Sequence, residues 1–400
     1  MSLNSTPNAD RVHIGIFGKR NAGKSSIINA ITNQNLAIVS DIEGTTTDPV
    51  SKAMELLPLG AVVIIDTPGI DDTGTLGEMR VQKTYQVLNK TDIALLIVDS
   101  TTGMTDFDRS ILAKIKEKNI AYLVVYNKSD LAQKEDICED NAISVSAVTR
   151  KNIHELKERI AQIVPKNMAE YPIISDKVNN GDIVVMVIPI DKAAPKGRII
   201  LPQQNTLREL LDSGCRVMVC RESELKDTLS ALKEKPKYVI TDSQVFGKIA
   251  DVVPKEICLT SFSILFARHK GNIFPLVKGV AALDNLKDND TVLISEGCTH
   301  HRQCGDIGTV KLPNWIRKYT GKNIRFEFTS GTEFPYDLSQ YAMIIHCGGC
   351  MLNEREMKYR IKCAEDADIP ITNYGMVIAQ VSGILNRSLE IFPEIQNLLL

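Results

Sequence analysis

Aromatic side chains are scarce in this chain of 400 residues: Phe, Tyr and Trp make up 5%, and Trp occurs once. No stretch combines aromatics with clustered basic residues, which removes the usual footprint of a nucleic-acid surface. Neither sign of charge is in excess. Lys and Arg total 47 against 49 Asp and Glu, a formal charge of −2, whereas broad binding to phosphate backbones needs a basic face. No nucleic-acid partner is therefore expected. Long apolar runs are missing as well. Ile93–Val98 and Ile183–Ile190 fall far short of the ~20 residues that span a bilayer, so no membrane partner is expected. Asp10, Arg11 and His13 interrupt the N-terminal stretch, so no signal peptide is read there, and the expected compartment is cytoplasmic and reducing. Cysteine is almost missing from the first half, where only Cys138 precedes residue 200. Fixed-period repeats and low-complexity segments are also lacking. What is present is a 44% apolar content, ordinary for a globular chain and too high for a disordered scaffold.

At ~150 residues per domain the length allows two to three domains. From Val12 to about Val164, short apolar strands alternate with amphipathic helices. The strand candidates are Val12–Phe17, Ala61–Asp66, Ile93–Asp99, Ala121–Tyr126 and Ala142–Val145, and the helical patterns are Lys24–Thr32, Gly77–Asn89 and Asp106–Lys118. Such alternation predicts an α/β domain with a mostly parallel sheet covered on both faces. Pro165 to Lys177 reads as a linker. A second α/β unit is expected with strands Ile183–Pro189, Arg216–Cys220, Tyr238–Thr241 and Ile257–Thr260, and helices Thr206–Asp212 and Glu222–Lys233. A third has strands Thr291–Ser295, Ile324–Thr329 and Ala342–His346, and helices Asn314–Thr320 and Glu354–Glu365. The expected domains are 1–166, 178–266 and 270–400: an N-terminal P-loop domain followed by two smaller α/β domains.

Gly18-Lys-Arg-Asn-Ala-Gly23-Lys24-Ser25 fits G-x-x-x-x-G-K-[ST], follows a strand and opens a helix. Residues Asn21, Ala22, Gly23, Lys24, Ser25 and Ser26 would cradle phosphates with inward-facing amides at a helix N-terminus. Lys24 reaches the β and γ oxygens, and Ser25 binds Mg²⁺. Asp66-Thr-Pro-Gly69 ends a later strand. There the Asp66 carboxylate holds Mg²⁺ through water and the Gly69 amide senses the γ-phosphate. Asn127-Lys128-Ser-Asp130 also ends a strand, and Asp130 accepts two hydrogen bonds that guanine offers and adenine does not. Ser146-Ala147 supports the same base. Gly44-Thr45-Thr46-Thr47-Asp48 lies where a switch segment belongs. With four motifs in order, this half resembles the translation-factor-type GTPases, and more closely the branch of tRNA-modifying and ribosome-assembly GTPases. That resemblance implies GTP as substrate and Thr46 as second Mg²⁺ ligand, with Thr45 and Thr47 as neighbouring alternatives. It also implies that Asn21 helps hold K⁺ in place of an arginine finger. Ile70 follows Gly69 and cannot orient a water, so intrinsic turnover is expected to be slow.

Eight cysteines fall between Cys215 and Cys363, and His300, His301 and His346 sit beside some of them. In a reducing compartment these read as thiols or metal ligands before disulfides. Cys298-Thr-His300 and His346-Cys347-Gly-Gly-Cys350 each follow an apolar strand. Both groups therefore belong at the carboxyl edge of an open α/β sheet, where ligands gather. Three readings compete. Zinc could take Cys298, His300, Cys347 and Cys350; Cys347 and Cys350 could form a redox pair; or three thiolates could hold an iron–sulfur cluster with one iron left open. Cys-x-His followed at a distance by His-Cys-x-x-Cys, in one chain with an N-terminal GTPase, resembles the HydF family, the GTPase maturases of [FeFe]-hydrogenase. The resemblance covers the whole chain. It implies a [4Fe–4S] cluster on Cys298, Cys347 and Cys350, a homodimer formed through the central domain, and a scaffold or carrier role for the di-iron precursor of the hydrogenase active site. The implied partners are the radical maturases HydE and HydG and the apo-hydrogenase. The fourth iron ligand stays open among His300, His346, Asp306, Glu296, water and a cyanide of the precursor, with Cys304 as an alternative thiolate. A GTPase acting on RNA or ribosomes, with a structural zinc domain, is the competing function.

Plainer roles fit the remaining residues. Cys215, Cys220, Cys258 and Cys363 read as core packing, Cys138 as a loop thiol, and His13 and His154 as structural. Asp71, Asp72 and Glu78 read as a solvated acidic loop. Arg268-His269-Lys270 reads as a short basic, solvated turn between the second and third domains.

Overall fold

Runs of Ile, Val and Leu too short to span a membrane and too continuous to alternate make strands buried on both faces. The computed structural model describes residues 10–33, 50–67, 84, 86–132, 140–164, 171–190, 199–297, 306–331, 333–335 and 337–396. It divides into two compact units, Met1–Met168 and Ala169–Leu400.

The first unit is a six-stranded sheet in the order β2-β3-β1-β4-β5-β6. Its strands are β1 (Val12–Phe17), β2 (Val50–Leu56), β3 (Gly60–Asp66), β4 (Ile93–Asp99), β5 (Ala121–Asn127) and β6 (Ala142–Ser144). All pair in parallel except β2, which runs antiparallel to β3 at the edge. Alternate side chains of β4 feed opposite cores: Leu95 and Ile97 pack on one face, Ala94, Leu96 and Val98 on the other. Among the helices covering these faces are Lys24–Thr32, Asp106–Glu117 and Ile153–Gln162. The helix Asp106–Glu117 starts at a capping box, Thr105 with Asp108. Strand β2 has no counterpart in the sequence reading, because Ser51, Lys52, Ala53 and Glu55 are exposed on an edge and show no apolar run. Of the expected helix Gly77–Asn89, Thr84 and residues 86–89 are described, 84 and 86–89 as helix, and the rest lies outside the described residues.

The second unit holds two parallel four-stranded sheets, β10-β9-β7-β8 and β12-β11-β13-β14. The first uses β7 (Ile183–Val187), β8 (Arg216–Cys220), β9 (Tyr238–Thr241) and β10 (Cys258–Ser261). The second uses β11 (Thr291–Ser295), β12 (Arg325–Thr329), β13 (Met343–His346) and β14 (Ile371–Asn373). One continuous apolar core, from Ile173 to Ile395, joins both sheets. Cys215 and Cys220 are buried in it, and Cys258 and Cys363 pack against it. The helices Phe246–Val252, Phe262–His269, Ile273–Val280 and Tyr374–Val381 are absent from the sequence reading. In Phe262–His269 the apolar residues form no stripe, Ile264, Leu265, Phe266 and Ala267 being buried in succession. The same holds for Gly375 to Ala379 in Tyr374–Val381, so the 3.6-residue signature of a half-exposed helix is missing there. Ile273–Val280 does carry it, at Ile273, Leu276, Val277 and Val280. Among the described residues no helix is long and apolar enough to cross a membrane.

The solvated basic turn expected at Arg268-His269-Lys270 is corrected. These residues end the helix Phe262–His269, and Arg268 and Lys270 are 6% and 5% exposed. The Arg268 guanidinium forms a forked ion pair with Asp176, Nη1 donating to Oδ1 at 3.0 Å. It also lies 4.7 Å from the Tyr171 ring centroid and 4.8 Å from that of Phe392. Removing Asp176 leaves this buried cation without its carboxylate. Asp176→Ala should therefore cost about 2 kcal/mol, below the 3–5 typical of a fully buried pair because Asp176 is one-third exposed and the stacking survives. Urea titration monitored in the second unit should show a lower midpoint, and an unchanged midpoint would contradict the account.

Candidate functional site

The first site is built at the carboxyl edge of the six-stranded sheet. Strand β1 ends at Phe17, the chain loops through residues 18–23, and a helix opens at Lys24. Gly23 adopts a left-handed φ of +91°, and a Cβ there would meet Asn127 Nδ2 at 2.2 Å, so only glycine fits. Lys24 is buried. Its Nζ donates to the carbonyls of Gly18 at 2.9 Å and Lys19 at 2.8 Å, which holds the ammonium inside the loop. Ser25 and Ser26 are exposed on the first turn of the helix, and Asn21 is exposed with φ 62°.

Asn127, 2% exposed, closes the loop from the other side. Its Nδ2 donates to the Ala22 carbonyl at 3.1 Å, and its Oδ1 accepts from the Ala147 amide at 3.2 Å. One amide side chain thus ties the phosphate loop to the loop after β6. Lys128 Nζ pairs with Asp99 Oδ2 at 2.6 Å. Asp130 is exposed beyond the strand end, and the buried Ser146 accepts from the Thr149 amide at 3.1 Å. The structure thereby brings Ala22 and Gly23 of the phosphate loop together with Asn127 and Ala147. Thr46 and Gly69 lie outside the described residues, as do Thr45, Thr47, Ile70, Asp71, Asp72 and Glu78.

Asp66 ends β3. Burial pushes its carboxyl up to about 6, against the opposing charge of Lys24. Its buried Oδ1 has no hydrogen-bond partner. An orphaned carboxylate oxygen beside a phosphate loop fits a hydrated divalent cation, with the Ser25 hydroxyl at the helix start as the direct ligand. The sign of the linkage follows. Above about pH 6 the native state must hold the buried anion, which the unfolded chain tolerates readily, so Asp66 costs stability there; between about 6 and 3.8 that cost fades as the native carboxyl protonates. Asp66→Asn should stabilise the metal-free first unit by about 2 kcal/mol at pH 7 and by less at pH 5. The same change should weaken Mg²⁺-dependent GTP turnover. Thermal melts at the two pH values, with phosphate release alongside, check this; destabilisation at pH 7 would contradict it.

The second site lies at the carboxyl edge of the last sheet. Strands β11 and β13 are parallel neighbours with Ser295 opposite His346, so the residues that follow them emerge side by side. The Cys347 amide donates to the Ser295 carbonyl at 3.0 Å. Cys347 Sγ accepts from the amides of Gly297 at 3.0 Å and Gly349 at 3.4 Å. Gly349 has a φ of +64°, and a Cβ there would meet Met357 Sδ at 2.7 Å, so the curl of the Cys347–Cys350 loop requires glycine. Burial pushes the Cys347 thiol up to about 11 and raises that of Cys350, where the Lys270 charge opposes the shift. Half-buried thiols, one with two amides aimed at its sulfur, fit a soft cationic metal, which displaces the protons and supplies the missing charge.

Beneath the loop sits Arg360, with no exposed surface. Its Nη1 donates to Ser295 Oγ at 3.0 Å and His346 Nε2 at 2.9 Å, its Nη2 to the Gly331 carbonyl at 2.8 Å, and its Nε to Glu356 Oε1 at 2.9 Å. A guanidinium can only donate, so His346 Nε2 accepts, and the proton sits on Nδ1, 2.8 Å from the Cys347 carbonyl. Burial, followed by the Arg360 charge, lowers the His346 pKa to about 3. Both ring nitrogens are committed to the protein, a geometry unsuited to the iron-ligand role considered for His346. Glu296 is buried and accepts from the Tyr374 hydroxyl at 3.2 Å. Asp306 accepts from Thr309 N at 2.9 Å. Cys298, His300, His301 and Cys304 lie outside the described residues, and among those described no three His, Cys, Asp or Glu side chains converge as a metal set. Sequence reasoning missed Arg360, Glu356 and Lys270. Glu356 and Arg360 have the i, i+4 spacing of any surface helix pair, and only the burial of the helix distinguishes them.

Three family models match the chain: a 50S ribosome-binding GTPase over residues 13–128, a hydrogen maturase F dimerization domain over 173–271, and a hydrogen maturase F tetramerization domain over 274–391. Among curated relatives, the tRNA modification GTPase MnmE of Dechloromonas aromatica is 33% identical over 166 residues, covering 40% of this chain and 36% of that protein. GTPase Der of Campylobacter concisus is 30% identical over 210 residues, covering 47% of this chain and 44% of that one. The chain therefore spans less than half the length of either. Among solved structures, a probable GTP-binding protein engB is 21% identical with a TM-score of 0.33, covering 39% of this chain and 100% of its own. The G domain of the T. maritima FeoB iron transporter is 22% identical with a TM-score of 0.30, covering 39% and 99%. The first unit is the GTPase domain of a GTP-hydrolysing enzyme, with the GTP and Mg²⁺ binding that such a domain implies. Matched to hydrogen maturase F models along both sheets of its second unit and to a GTPase model along its first, the chain belongs to the hydrogen maturase F (HydF) family.

Proposed function

We propose that this chain is a GTP-hydrolysing scaffold that carries a [4Fe–4S] cluster and delivers the di-iron precursor of the [FeFe]-hydrogenase active site. The observation that carries the reading is the Cys347–Cys350 loop. It lies at a carboxyl sheet edge, with two main-chain amides directed at one sulfur, beside the strand end that leads to Cys298. Cys298, Cys347 and Cys350 each supply a thiolate. With His346 engaged on both nitrogens, His300 is the histidine left to complete the open iron, and an exchangeable fourth ligand suits a carrier. The cluster, when bound, supplies an iron with a replaceable ligand at which a precursor can dock.

On the first unit, Lys24 neutralises β and γ oxygens, Ser25 and Thr46 hold Mg²⁺, Asp66 orients its water, and the Gly69 amide follows the γ-phosphate. Asp130 reads guanine, Asn127 and Lys128 brace the base pocket, and Ser146 and Ala147 close it. Asn21 holds K⁺. Residues 1–166, 178–266 and 270–400 act as GTPase, dimerisation and cluster modules. The dimer forms through β8, an edge strand with Met218 44% and Val219 47% exposed, an apolar edge of the kind that pairs with another copy. HydE, HydG and the apo-hydrogenase are the partners, and the compartment is the cytoplasm.

The test is a cysteine series in the full-length protein. Cys→Ser at Cys298, Cys347 or Cys350 should largely abolish the [4Fe–4S] paramagnetic signal and the activation of apo-hydrogenase. The same change at Cys215 or Cys363, which pack in or against the core, should leave both nearly intact, and GTP hydrolysis should survive throughout. Full cluster retention in Cys347→Ser or Cys350→Ser would defeat the assignment.

A further inference from the structure

Lys270 follows the last turn of the helix Phe262–His269 and is 5% exposed. Its Nζ donates to three main-chain carbonyls of one short loop: Gly349 at 3.3 Å, Cys350 at 3.3 Å and Leu352 at 2.8 Å. The same ammonium lies 5.9 Å from the Phe266 ring centroid. The lysine falls within the span matched by the dimerization-domain model, and the loop within the span matched by the tetramerization-domain model. A desolvated ammonium is costly unless its donors are satisfied. Here the loop satisfies them by turning its carbonyls toward Lys270. A peptide carbonyl and the amide of the next residue point in opposite directions, so turning the Gly349 and Cys350 carbonyls toward Lys270 presents the amides of Cys350 and Met351 on the other side, where both favour the Cys350 thiolate. Leu352 N closes the turn on the Gly349 carbonyl at 3.1 Å.

We infer that Lys270 is a positioning residue for the thiolate pair: it folds the Cys347–Cys350 loop from below and sets a fixed positive charge beside the group those thiolates hold. This rests on the cluster reading above. A [4Fe–4S] cluster on three thiolates carries net negative charge, and its reduction adds more, so a cation fixed next to it favours the reduced form. The role has two separable parts, shape and charge. Lys270→Met removes both. Lys270→Gln keeps a donor for the carbonyls and removes only the charge.

In the metal-free full-length protein, hydrogen–deuterium exchange at the amides of residues 348–352 should accelerate about tenfold or more in Lys270→Met, while the strands of the second unit exchange as in the wild type. Lys270→Gln should change loop exchange far less. After anaerobic reconstitution, redox titration followed by paramagnetic resonance should show a more negative midpoint potential in both variants at wild-type iron content. Unaltered loop exchange in Lys270→Met, or an unaltered potential in Lys270→Gln at full iron content, would overturn the inference. A wild-type protein that takes up no iron would instead defeat the cluster reading, and loop exchange in Lys270→Met would still decide whether Lys270 shapes the loop.

Discussion

The ends of β11 and β13 are held together by a guanidinium that has no access to water. Arg360 finds its acceptors on Ser295, His346, Gly331 and Glu356, drawn from two strand ends, a loop and its own helix. A buried cation with an unfilled donor is expensive, so these elements have little freedom to separate. The consequence reaches the thiols through one histidine. His346 accepts from Arg360 on one nitrogen and directs the other at the carbonyl of Cys347. The orientation of the first peptide of the C-x-x-C loop is thereby fixed from beneath, and its sulfur meets the Gly297 amide from the neighbouring strand.

The nucleotide site is built on the same logic with a neutral group. Asn127 is an amide with a donor and an acceptor, and it spends one on the phosphate loop and the other on the loop after β6. In both units, a buried polar side chain ties together the backbone or side chains that follow the carboxyl ends of strands, Asn127 from a strand end and Arg360 from a helix. Glycines supply the conformations such backbone needs, at Gly23 in one case and Gly349 in the other.

The phosphate loop, the strand run of the first unit and the C-x-x-C loop were legible in the sequence because each is local. Their residues are neighbours along the chain, and their spacing carries the chemistry. Seven of the eight strands of the second unit were legible for the same reason, as short apolar runs, whereas β14, only Ile371–Asn373, was too short to show one. Strand β2 was hidden because an exposed edge strand carries polar residues. The helix Phe262–His269 was hidden because it is apolar nearly all round. Lys270 and Arg360 were hidden for a deeper reason: a lysine in a basic triplet and an arginine four residues after a glutamate look like surface residues, and only the tertiary fold buries them. His346 neighbours a thiol in the sequence, and only the parallel pairing with β11 shows its ring turned onto Arg360.

The central claim is that the thiol-rich end of this GTPase carries an iron–sulfur cluster. Mössbauer spectroscopy of the full-length protein, reconstituted anaerobically with enriched iron and sulfide, tests it most directly. The account predicts a [4Fe–4S] spectrum in which one iron is distinguishable from the other three. A protein that takes up zinc stoichiometrically and retains no iron would contradict it.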